Sequence, residues 1–489
     1  MHTLLPSIFA ISGLLTASTI ISAADTTRPN IVYILADDLG YGDVHCLGGE
    51  RSKIATPNID RLAGQGMIFT ESHSSAAVCT PSRYGILTGR YNWRSRAQSS
   101  VLGQYAEPLI DKDRLTVPEM LKQHGYQTAC IGKWHLGMHW TKRDNEVDFT
   151  RPISEGPTAR GFDYYFGLDI PNHEPYCFIE NDHTVGIPSV QLPMERGSRH
   201  CSPGLAMPDW NVEAILPTIT AKACDYIQHQ AKIRQPFFLY FPLNSPHTPI
   251  APTKEWQGKS GLGDYADFVM ETDWAVGQIL TALDQSGSAG NTLVIFTSDN
   301  GSPANLEGKG HFVSELRRGH KSDIWDGGHR IPFITRWPGK IKPGTHSSQL
   351  ICLNDLMATS ADILGAKLPD TAGEDSVSIL PALLGADKAP LHEALVHHSG
   401  KGYFAIRQGR WKLELCWDSG GFQSSKEREA GQKELPDIQL YDISTDIAET
   451  KNLQAEQKGV VNRLTTLLEK YVADGRSTPG IPQKKRCQD

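Results

Sequence analysis

The sequence predicts an α/β protein in which a mixed, mostly parallel sheet is flanked by helices and followed by a smaller antiparallel sheet. Three apolar runs, rich in β-branched and aromatic residues, predict strands buried on both faces of a sheet. They cover residues 30–36, 236–241 and 292–297. Helical patterns at 117–124 and 267–284 lie between these runs. Alternation of buried strands with helices is typical of a parallel sheet.

The composition of the sequence changes after about residue 385. Two short apolar runs there, 403–407 and 411–415, flank a turn and predict a hairpin. The run 439–442 then precedes a helical pattern from Lys458 to Ala473. A length of 489 residues favours two domains. We therefore predict a main domain over residues 25–385 and a C-terminal α+β subdomain over 386–489.

The amino terminus predicts export. Residues 1–24 are apolar, end in small residues and precede a polar stretch, which is typical of a cleaved secretory signal peptide. An uncleaved anchor is the alternative, because the basic start is weak. No other stretch is long and apolar enough to span a bilayer. We expect a periplasmic, secreted or lysosome-like compartment, with no stable membrane insertion after cleavage.

Charge and cysteine content narrow the class further. The net charge of −7 lacks the basic footprint of nucleic-acid binding, so we expect no nucleic-acid partner. Any anion site must be built from local cations and backbone N–H groups. Nine cysteines fit an exported protein with few bridges. Cys177 and Cys201 are candidates for a disulfide, which their spacing alone does not establish.

Acidic residues follow two of the predicted strands directly. Asp37 and Asp38 come after the first strand, and Asp299 and Asn300 come after the third. In open α/β sheets, ligands bind beyond the carboxyl ends of the strands. Four oxygen-bearing side chains at such ends can converge on one hard cation. The alternative for each pair is ordinary turn chemistry, which Asp and Asn favour.

A short motif, Cys79-Thr80-Pro81-Ser82-Arg83, matches no metal or redox pattern. The residues from Pro81 to Gly89 predict the first turns of a helix, which places Cys79 at its N-terminus. Backbone N–H groups and the helix dipole favour an anion at that position. The alternative is a buried structural cysteine.

Basic and histidine residues complete the set of candidates. Lys133 and His135 lie two apart at the end of the segment 125–135, so in an extended chain both face the same side. His247 follows the second strand, and Lys321 lies in the glycine-rich segment 318–330. Each alone is more often a satisfied core residue or a solvated surface residue.

Together these residues resemble the type I, formylglycine-dependent sulfatases of the arylsulfatase A and N-acetylgalactosamine-6-sulfatase type, whose fold is alkaline-phosphatase-like. Cys79–Arg83 and Gly125–His135 match the two family signatures. The likeness runs from Arg28 to about Arg336 and resumes at Leu440–Ile443. The resemblance implies that a formylglycine-generating enzyme oxidises Cys79 to Cα-formylglycine.

The resemblance also implies roles for the other candidates. Ca²⁺ would be held by Asp37, Asp38, Asp299, Asn300 and the modified Cys79. The sulfate group would be surrounded by Arg83, Lys133, His135, His247 and Lys321, because positive groups must neutralise its oxygens before attack. One hydroxyl of the hydrated aldehyde attacks sulfur, with Asp299 as proton acceptor and His247 as proton donor to the alcohol. The second hydroxyl, deprotonated by His135, expels sulfate.

The segment 171–182 resembles the substrate-facing insertion of N-acetylgalactosamine-6-sulfatase-like enzymes, and a disulfide-pinned surface loop is the alternative. Its candidate substrate residues are Asn172, His173, Tyr176, Asn181 and Asp182. We therefore expect an exo-acting carbohydrate sulfatase that removes 6-O-sulfate from galactose or N-acetylgalactosamine units. The alternatives are a phosphatase or phosphonate monoester hydrolase of the same superfold, and a non-catalytic binder of sulfated glycans if Cys79 is unmodified.

Overall fold

The computed structural model describes residues 28–195, 197–387, 389–422 and 436–483, so the predicted signal peptide lies outside the described residues. The strands are β1 (Asn30–Ala36), β2 (Met67–His73), β3 (Gln127–Lys133), β4 (Lys142–Arg143), β5 (Glu146–Val147), β6 (Tyr164–Leu168), β7 (Ile179–Glu180), β8 (His183–Thr184), β9 (Val190–Leu192), β10 (Gly204–Ala206), β11 (Phe237–Pro242), β12 (Thr292–Ser298), β13 (Phe333–Arg336), β14 (Thr345–Cys352), β15 (Leu395–His398), β16 (Phe404–Gln408), β17 (Trp411–Glu414) and β18 (Gln439–Asp442).

Helices connect the strands and cover the main sheet. They are α1 (His45–Gly48), α2 (Pro57–Gly64), α3 (Cys79–Thr88), α4 (Val117–Gln123), α5 (Ile215–Ile233), α6 (Asp264–Gln285), α7 (Asp326–His329), α8 (Leu356–Leu364), α9 (Leu380–Leu383) and α10 (Lys458–Asp474). Among the described residues, none of the helices is both long and apolar enough to cross a membrane.

The main sheet has ten strands in the order β14-β2-β13-β12-β1-β11-β3-β6-β7-β8. Its centre, from β12 to β6, is parallel, and β14 also pairs with β2 in parallel. The remaining pairings within this sheet are antiparallel. The mixed, mostly parallel sheet expected from the sequence is confirmed.

Alternation along β1 divides the core into two layers. Tyr33 and Leu35 belong to the buried cluster that also holds residues of α3, α4 and α8. Val32 and Ile34 belong to the opposite cluster, with residues of α2, α5 and α6. A strand covered on both faces must be apolar along its whole length, which is why β1 reads as a continuous apolar run.

The register aligns the strand ends that carry the candidate site. Ala36 pairs with Ser298, so Asp37 and Asp299 leave the sheet at the same level. The parallel β11 and β3 end at the same edge, where Pro242 and Lys133 close their strands. The carboxyl ends of four parallel strands therefore meet at one edge.

The C-terminal subdomain has the predicted architecture. β15 to β18 form a four-stranded antiparallel sheet, and α10 packs on it through Leu464, Leu468 and Tyr471. The domain limits at 25–385 and 386–489 stay predictions.

One helix starts earlier than the sequence predicts. α6 begins at Asp264, about one turn before the predicted start, because acidic residues in its first turn complement the helix dipole. The segment 169–215, which includes the predicted substrate-facing insertion at 171–182, contains the short strands β7, β8, β9 and β10. The thiols of Cys177 and Cys201 in this segment are free.

Candidate active site

Cys79 is the first residue of α3, as the sequence predicts. It follows Val78, which is extended, and Pro81 is accommodated in the first turn, where its missing N–H costs nothing. The helix ends at Gly89 in the left-handed conformation. Cys79 is 1% exposed, and burial raises the pKa of its thiol, against the opposing effect of Lys133 and Lys321. The thiol thus lies at the positive end of a buried helix.

The acidic strand ends converge beside Cys79. The backbone N–H of Asp38 donates to Asp299 Oδ1 at 3.1 Å, and Asn300 Nδ2 donates to Asp38 Oδ1 at 2.8 Å. Asp38 reaches this position with a left-handed φ of 68°. All four acidic and amide side chains are buried. The structure therefore brings together Asp37, Asp38, Asp299 and Asn300.

The donor set of these strand ends fits Ca²⁺. Among the described residues, Asp37 Oδ1 and Asn300 Oδ1 are buried without a hydrogen-bond partner. Ligand atoms of Asp37, Asp38, Cys79 and His247 lie within 4.8 Å of one another. Burial and the neighbouring Asp37 raise the pKa of Asp299, and a cation among these carboxylates would relieve that repulsion. Carboxylate and amide oxygens are the ligands that Ca²⁺ prefers.

Arg83 lies among the carboxylates. Its Nε and Nη2 contact Asp299 Oδ2 at 3.0 and 2.9 Å, and Nη2 lies 3.4 Å from Asp37 Oδ1. Its Nη1 donates to the carbonyl of Lys133 at 2.9 Å. The side chain is fully buried. These contacts fix the orientation of the Asp37 and Asp299 carboxylates.

Two lysines pair with the same carboxylates. Lys133 Nζ donates to Asp37 Oδ2 at 2.6 Å, and Lys321 Nζ donates to Asp38 Oδ2 at 2.7 Å. Burial raises the pKa of Asp37, but Lys133, followed by His247, Arg83 and Lys321, overcomes this and holds that pKa well below its usual range. An ammonium group has three N–H donors, so each lysine keeps donors for an anionic ligand.

The two ring nitrogens of His135 differ in their hydrogen bonding. Its Nε2 lies 3.0 Å from the carbonyl of Leu102, an acceptor, so Nε2 carries the proton and Nδ1 is the basic atom. Nδ1 is buried and has no hydrogen-bond partner among the described residues. Burial, followed by Lys133, lowers the pKa of His135 well below 6.5. The imidazole is therefore a neutral proton acceptor.

His247 lies beside Asp38. Its Nδ1 is 2.5 Å from the carbonyl of Thr248, and its Nε2 is 3.8 Å from Asp38 Oδ2. Burial, then Lys133, lowers its pKa to about 4. A bound sulfate ester is anionic and favours the imidazolium form, which can donate a proton from Nε2.

Asp169 belongs to the site and was missed by the sequence analysis. Its Oδ1 accepts the backbone N–H of His135 at 3.0 Å. It directly follows β6, so its signal in the sequence was the same as that of Asp37 and Asp299: an acidic residue at the end of a strand. β6 lacks the long apolar run that identified the other strands.

The five candidate substrate residues separate into two groups. Asn172 and His173 follow β6, at the edge where the parallel strands end, and His173 Nδ1 lies 3.1 Å from Gln104 Oε1. Burial, then His200 and Lys133, lowers the pKa of His173. Tyr176 is 1% exposed and its hydroxyl points at the backbone carbonyls of Asn172 and Ser202, so it pins the loop.

Asn181 and Asp182 lie away from Cys79 and the acidic strand ends. They form the turn between β7 and β8, and Asn181 Oδ1 accepts the backbone N–H of Tyr165 at 3.1 Å. β7 runs antiparallel to β6, so the turn lies towards the amino end of β6. At about 3.3 Å per residue, Tyr165 is about 13 Å along the strand from Asp169.

Comparisons with known proteins identify the family of the chain. The family model described as Sulfatase matches residues 29–366. The chain is 35% identical to the N-acetylgalactosamine-6-O-sulfatase of Bacteroides thetaiotaomicron, over 95% of this chain and 97% of that relative. It is 32% identical to arylsulfatase A of Homo sapiens, over 94% of this chain and 91% of that relative.

A solved structure gives the same result for the fold. A sulfatase from the glycosaminoglycan metabolism locus of Bacteroides thetaiotaomicron superposes with a TM-score of 0.80 at 33% identity, covering 91% of this chain and 99% of that one. The match therefore includes the main sheet and the C-terminal subdomain. With the family model covering most of the chain and relatives above 30% identity matching it nearly end to end, the chain belongs to the sulfatase family and is a sulfuric ester hydrolase.

Proposed function

We propose that this protein is an exported, Ca²⁺-dependent carbohydrate sulfatase that removes 6-O-sulfate from N-acetylgalactosamine or galactose units. The observation that carries the proposal is the position of Cys79 at the start of α3, where its side chain lies close to those of Asp37, Asp38 and His247. The high similarity to an N-acetylgalactosamine-6-O-sulfatase supports the choice of sugar and of sulfate position.

The nucleophile is supplied by modification of Cys79. A formylglycine-generating enzyme would oxidise it during maturation, and the hydrated aldehyde would supply two hydroxyl groups. Export is supported by the signal-like residues 1–24. Asp37, Asp38, Asp299 and Asn300 would hold Ca²⁺, which would supply positive charge at the sulfate oxygens and at the nucleophile.

The chain's own residues bind the sulfate and move the protons. Lys133 and Lys321 direct their remaining N–H donors to sulfate oxygens and neutralise the charge that repels a nucleophile. Asp299 accepts the proton of the attacking hydroxyl. His247 Nε2 donates a proton to the departing alcohol, and His135 Nδ1 accepts the proton of the second hydroxyl. General acid–base steps of this kind each contribute about 10²–10⁴-fold.

The sugar would bind at the edge beyond β6. Asn172 and His173 lie there, and the side chain of Gln104 contacts His173. Amide and imidazole groups can donate to or accept from sugar hydroxyl and acetamido groups. The proposed substrate surface is therefore formed by Asn172, His173 and Gln104.

Peptide mass spectrometry across residue 79, on protein from the native host, tests the nucleophile. We expect the mass of formylglycine, and unmodified cysteine in all molecules would favour the glycan-binding alternative. The substrate is tested with a panel of defined sulfated mono- and oligosaccharides. Desulfation only at O2, O3 or O4 would overturn the 6-O assignment. Faster turnover of phosphate esters than of sulfate esters would favour the phosphatase alternative.

A further inference from the structure

We propose that Asp169 is a positioning residue for the proposed base His135, an inference that rests on the proposed function of that histidine. Asp169 aims the ring by holding the backbone of His135 in a left-handed conformation, and it makes no contribution of its own to sulfate binding.

The backbone of His135 is in a conformation that needs support. Its φ is 54°, in the left-handed region where side chains other than glycine are unfavourable. Such conformations persist only where the surroundings impose them, and they concentrate at functional sites. The backbone of His135 lies against the start of α3, since its carbonyl accepts a hydrogen bond from the hydroxyl of Thr80, the neighbour of Cys79, at 3.1 Å.

Three hydrogen bonds fix this residue from three directions. Asp169 Oδ1 accepts its N–H at 3.0 Å, Thr80 donates to its carbonyl at 3.1 Å, and Leu102 accepts from its Nε2 at 3.0 Å. Thr80 Oγ1 also accepts the backbone N–H of Leu102 at 3.2 Å, so Thr80 and Leu102 are hydrogen-bonded to each other as well as to His135. Asp169 is bonded to neither of them and contacts His135 from the end of β6.

A carboxylate at position 169 requires an explanation. Asp169 is 6% exposed, and burial raises its pKa to about 6, although the His135 N–H and Lys133 lower it. A buried carboxyl group is unfavourable unless it is paired or strongly hydrogen-bonded. Its identified hydrogen bond goes to the backbone of His135. A charged acceptor makes the stronger bond to an N–H, which suits a strained residue whose ring must not move.

The effect of Asp169 should pass entirely through the ring of His135. Displacement of a catalytic group by about 1 Å lowers the rate about 10²-fold. We therefore expect Asp169→Ala to lower kcat about 10²-fold with KM nearly unchanged. Asp169→Asn keeps an oxygen acceptor at the same place and should recover most of that loss. Asp169→Leu, which keeps the branching of the side chain and removes the acceptor, should behave as Asp169→Ala does.

A double-mutant cycle on aryl sulfate hydrolysis separates this role from a structural one. In a His135→Ala background, Asp169→Ala should cause no further loss of kcat, because no ring remains to be aimed. A loss of the same size in both backgrounds would overturn the proposal, as would wild-type kcat in both Asp169→Ala and Asp169→Leu.

A second readout does not require turnover. In Cys79→Ser protein, ¹⁵N NMR of the histidine side chains should show His135 in one fixed tautomer with the proton on Nε2. Asp169→Asn should retain this signature, and Asp169→Ala and Asp169→Leu should replace it with an averaged one. An unchanged signature in all variants would refute the proposal. If the wild-type protein shows no sulfatase turnover, the proposed function fails, and this NMR comparison still tests whether Asp169 positions the ring of His135.

Discussion

Lys133 and Lys412 are both fully buried and both pair with carboxylates, but their ammonium groups are used differently. Lys412, on β17, donates to the carbonyl of Ile324, to Asp326 and to Glu449, and it lies 3.1 Å from Glu414. Its three donors are all engaged by the protein. Lys133 donates to Asp37, and its other donors are directed to no hydrogen-bond acceptor among the described residues.

The difference separates a structural ion cluster from the proposed catalytic one. At the joint between the main sheet and the C-terminal sheet, all three donors of the Lys412 ammonium group are engaged by the protein. At the carboxyl ends of the main-sheet strands, Lys133 keeps N–H donors for a ligand. Burial and charge do not distinguish the two lysines, whereas the number of engaged donors does.

The largest expected effect tests the proposed sulfate-binding role of Lys133. Lys133→Met removes a cation that faces the developing charge of the sulfate group, so we expect kcat to fall about 10³-fold. Aryl sulfate turnover and thermal unfolding are measured together. The protein should remain folded, because Arg83 still pairs with Asp37. Loss of less than tenfold in kcat would remove Lys133 from the catalytic set.

Lys412→Met should have the opposite profile. Removing one partner of a buried ion cluster leaves uncompensated charge, and we expect the free energy of unfolding to fall by about 3–5 kcal/mol. Chemical denaturation measures this loss, and kcat per folded molecule should be nearly unchanged. Lys470→Met is the matched control, since Lys470 pairs with Asp474 on an exposed helix face. Equal stability of the two variants would contradict the comparison.

Ca²⁺ should stabilise the folded protein through the strand-end cluster and not through the ion cluster around Lys412. A ligand that binds only the folded protein at 100 times its Kd stabilises it by about 2.7 kcal/mol. We expect Ca²⁺ to raise the melting temperature of chelator-treated protein. Asp38→Asn should remove most of this increase, whereas Glu414→Gln, the same change at the joint, should retain it. An equal response of both variants to Ca²⁺ would refute the assignment of the cation to the strand ends.

We expect the joint between the two sheets to lower the stability of the protein at acidic pH. Burial, then Lys412, lowers the pKa of His397 to about 3, whereas an unfolded histidine titrates near pH 6.5. Between these values the unfolded state binds a proton that the folded state excludes. The buried, neutral His397 therefore does not destabilise the fold above pH 6.5. As the pH falls, it lowers the free energy of unfolding by about 2 kcal/mol between pH 7 and pH 5.

Denaturation of His397→Leu across this pH range checks that expectation. The variant should show a shallower decline of stability with falling pH than the wild type. His183→Leu, at an exposed position, should follow the wild-type curve. Parallel curves for wild type and His397→Leu would exclude this histidine as the source of the acid sensitivity.

The cluster at the carboxyl ends of the strands was largely predictable because its residues follow strands whose apolar runs are visible in the sequence. Once parallel strands are recognised, the residues directly after two of them and the loop after the second strand must lie at a common edge, which places Asp37, Asp299 and His247 together. The joint was not predictable in this way. Lys412 and Asp326 are 86 positions apart, and their contact depends on how the second sheet packs on the first.

The substrate loop shows where local patterns stop being informative. His173 and Asn181 belong to one polar segment, and the composition of this segment does not indicate which end of β6 each residue lies near. The loop after β6 reverses the chain, so β7 runs antiparallel to β6 and carries Asn181 towards the other end of β6. Direction along a sheet is a property of tertiary pairing, so the two positions have the same signal in the sequence.

The smallest expected effect concerns that loop. His173→Ala removes a half-buried ring beside Gln104 at the edge where the parallel strands end, and we expect KM for a 6-O-sulfated saccharide to rise. Loss of one uncharged hydrogen bond weakens binding by about 0.5–1.5 kcal/mol, or about two- to tenfold. A small aryl sulfate does not reach this surface, so its KM should be unchanged. Asp182→Ala, in the distant turn, is the matched control and should alter neither substrate. A selective effect of Asp182→Ala on the saccharide, without one from His173→Ala, would reverse the assignment of the two groups.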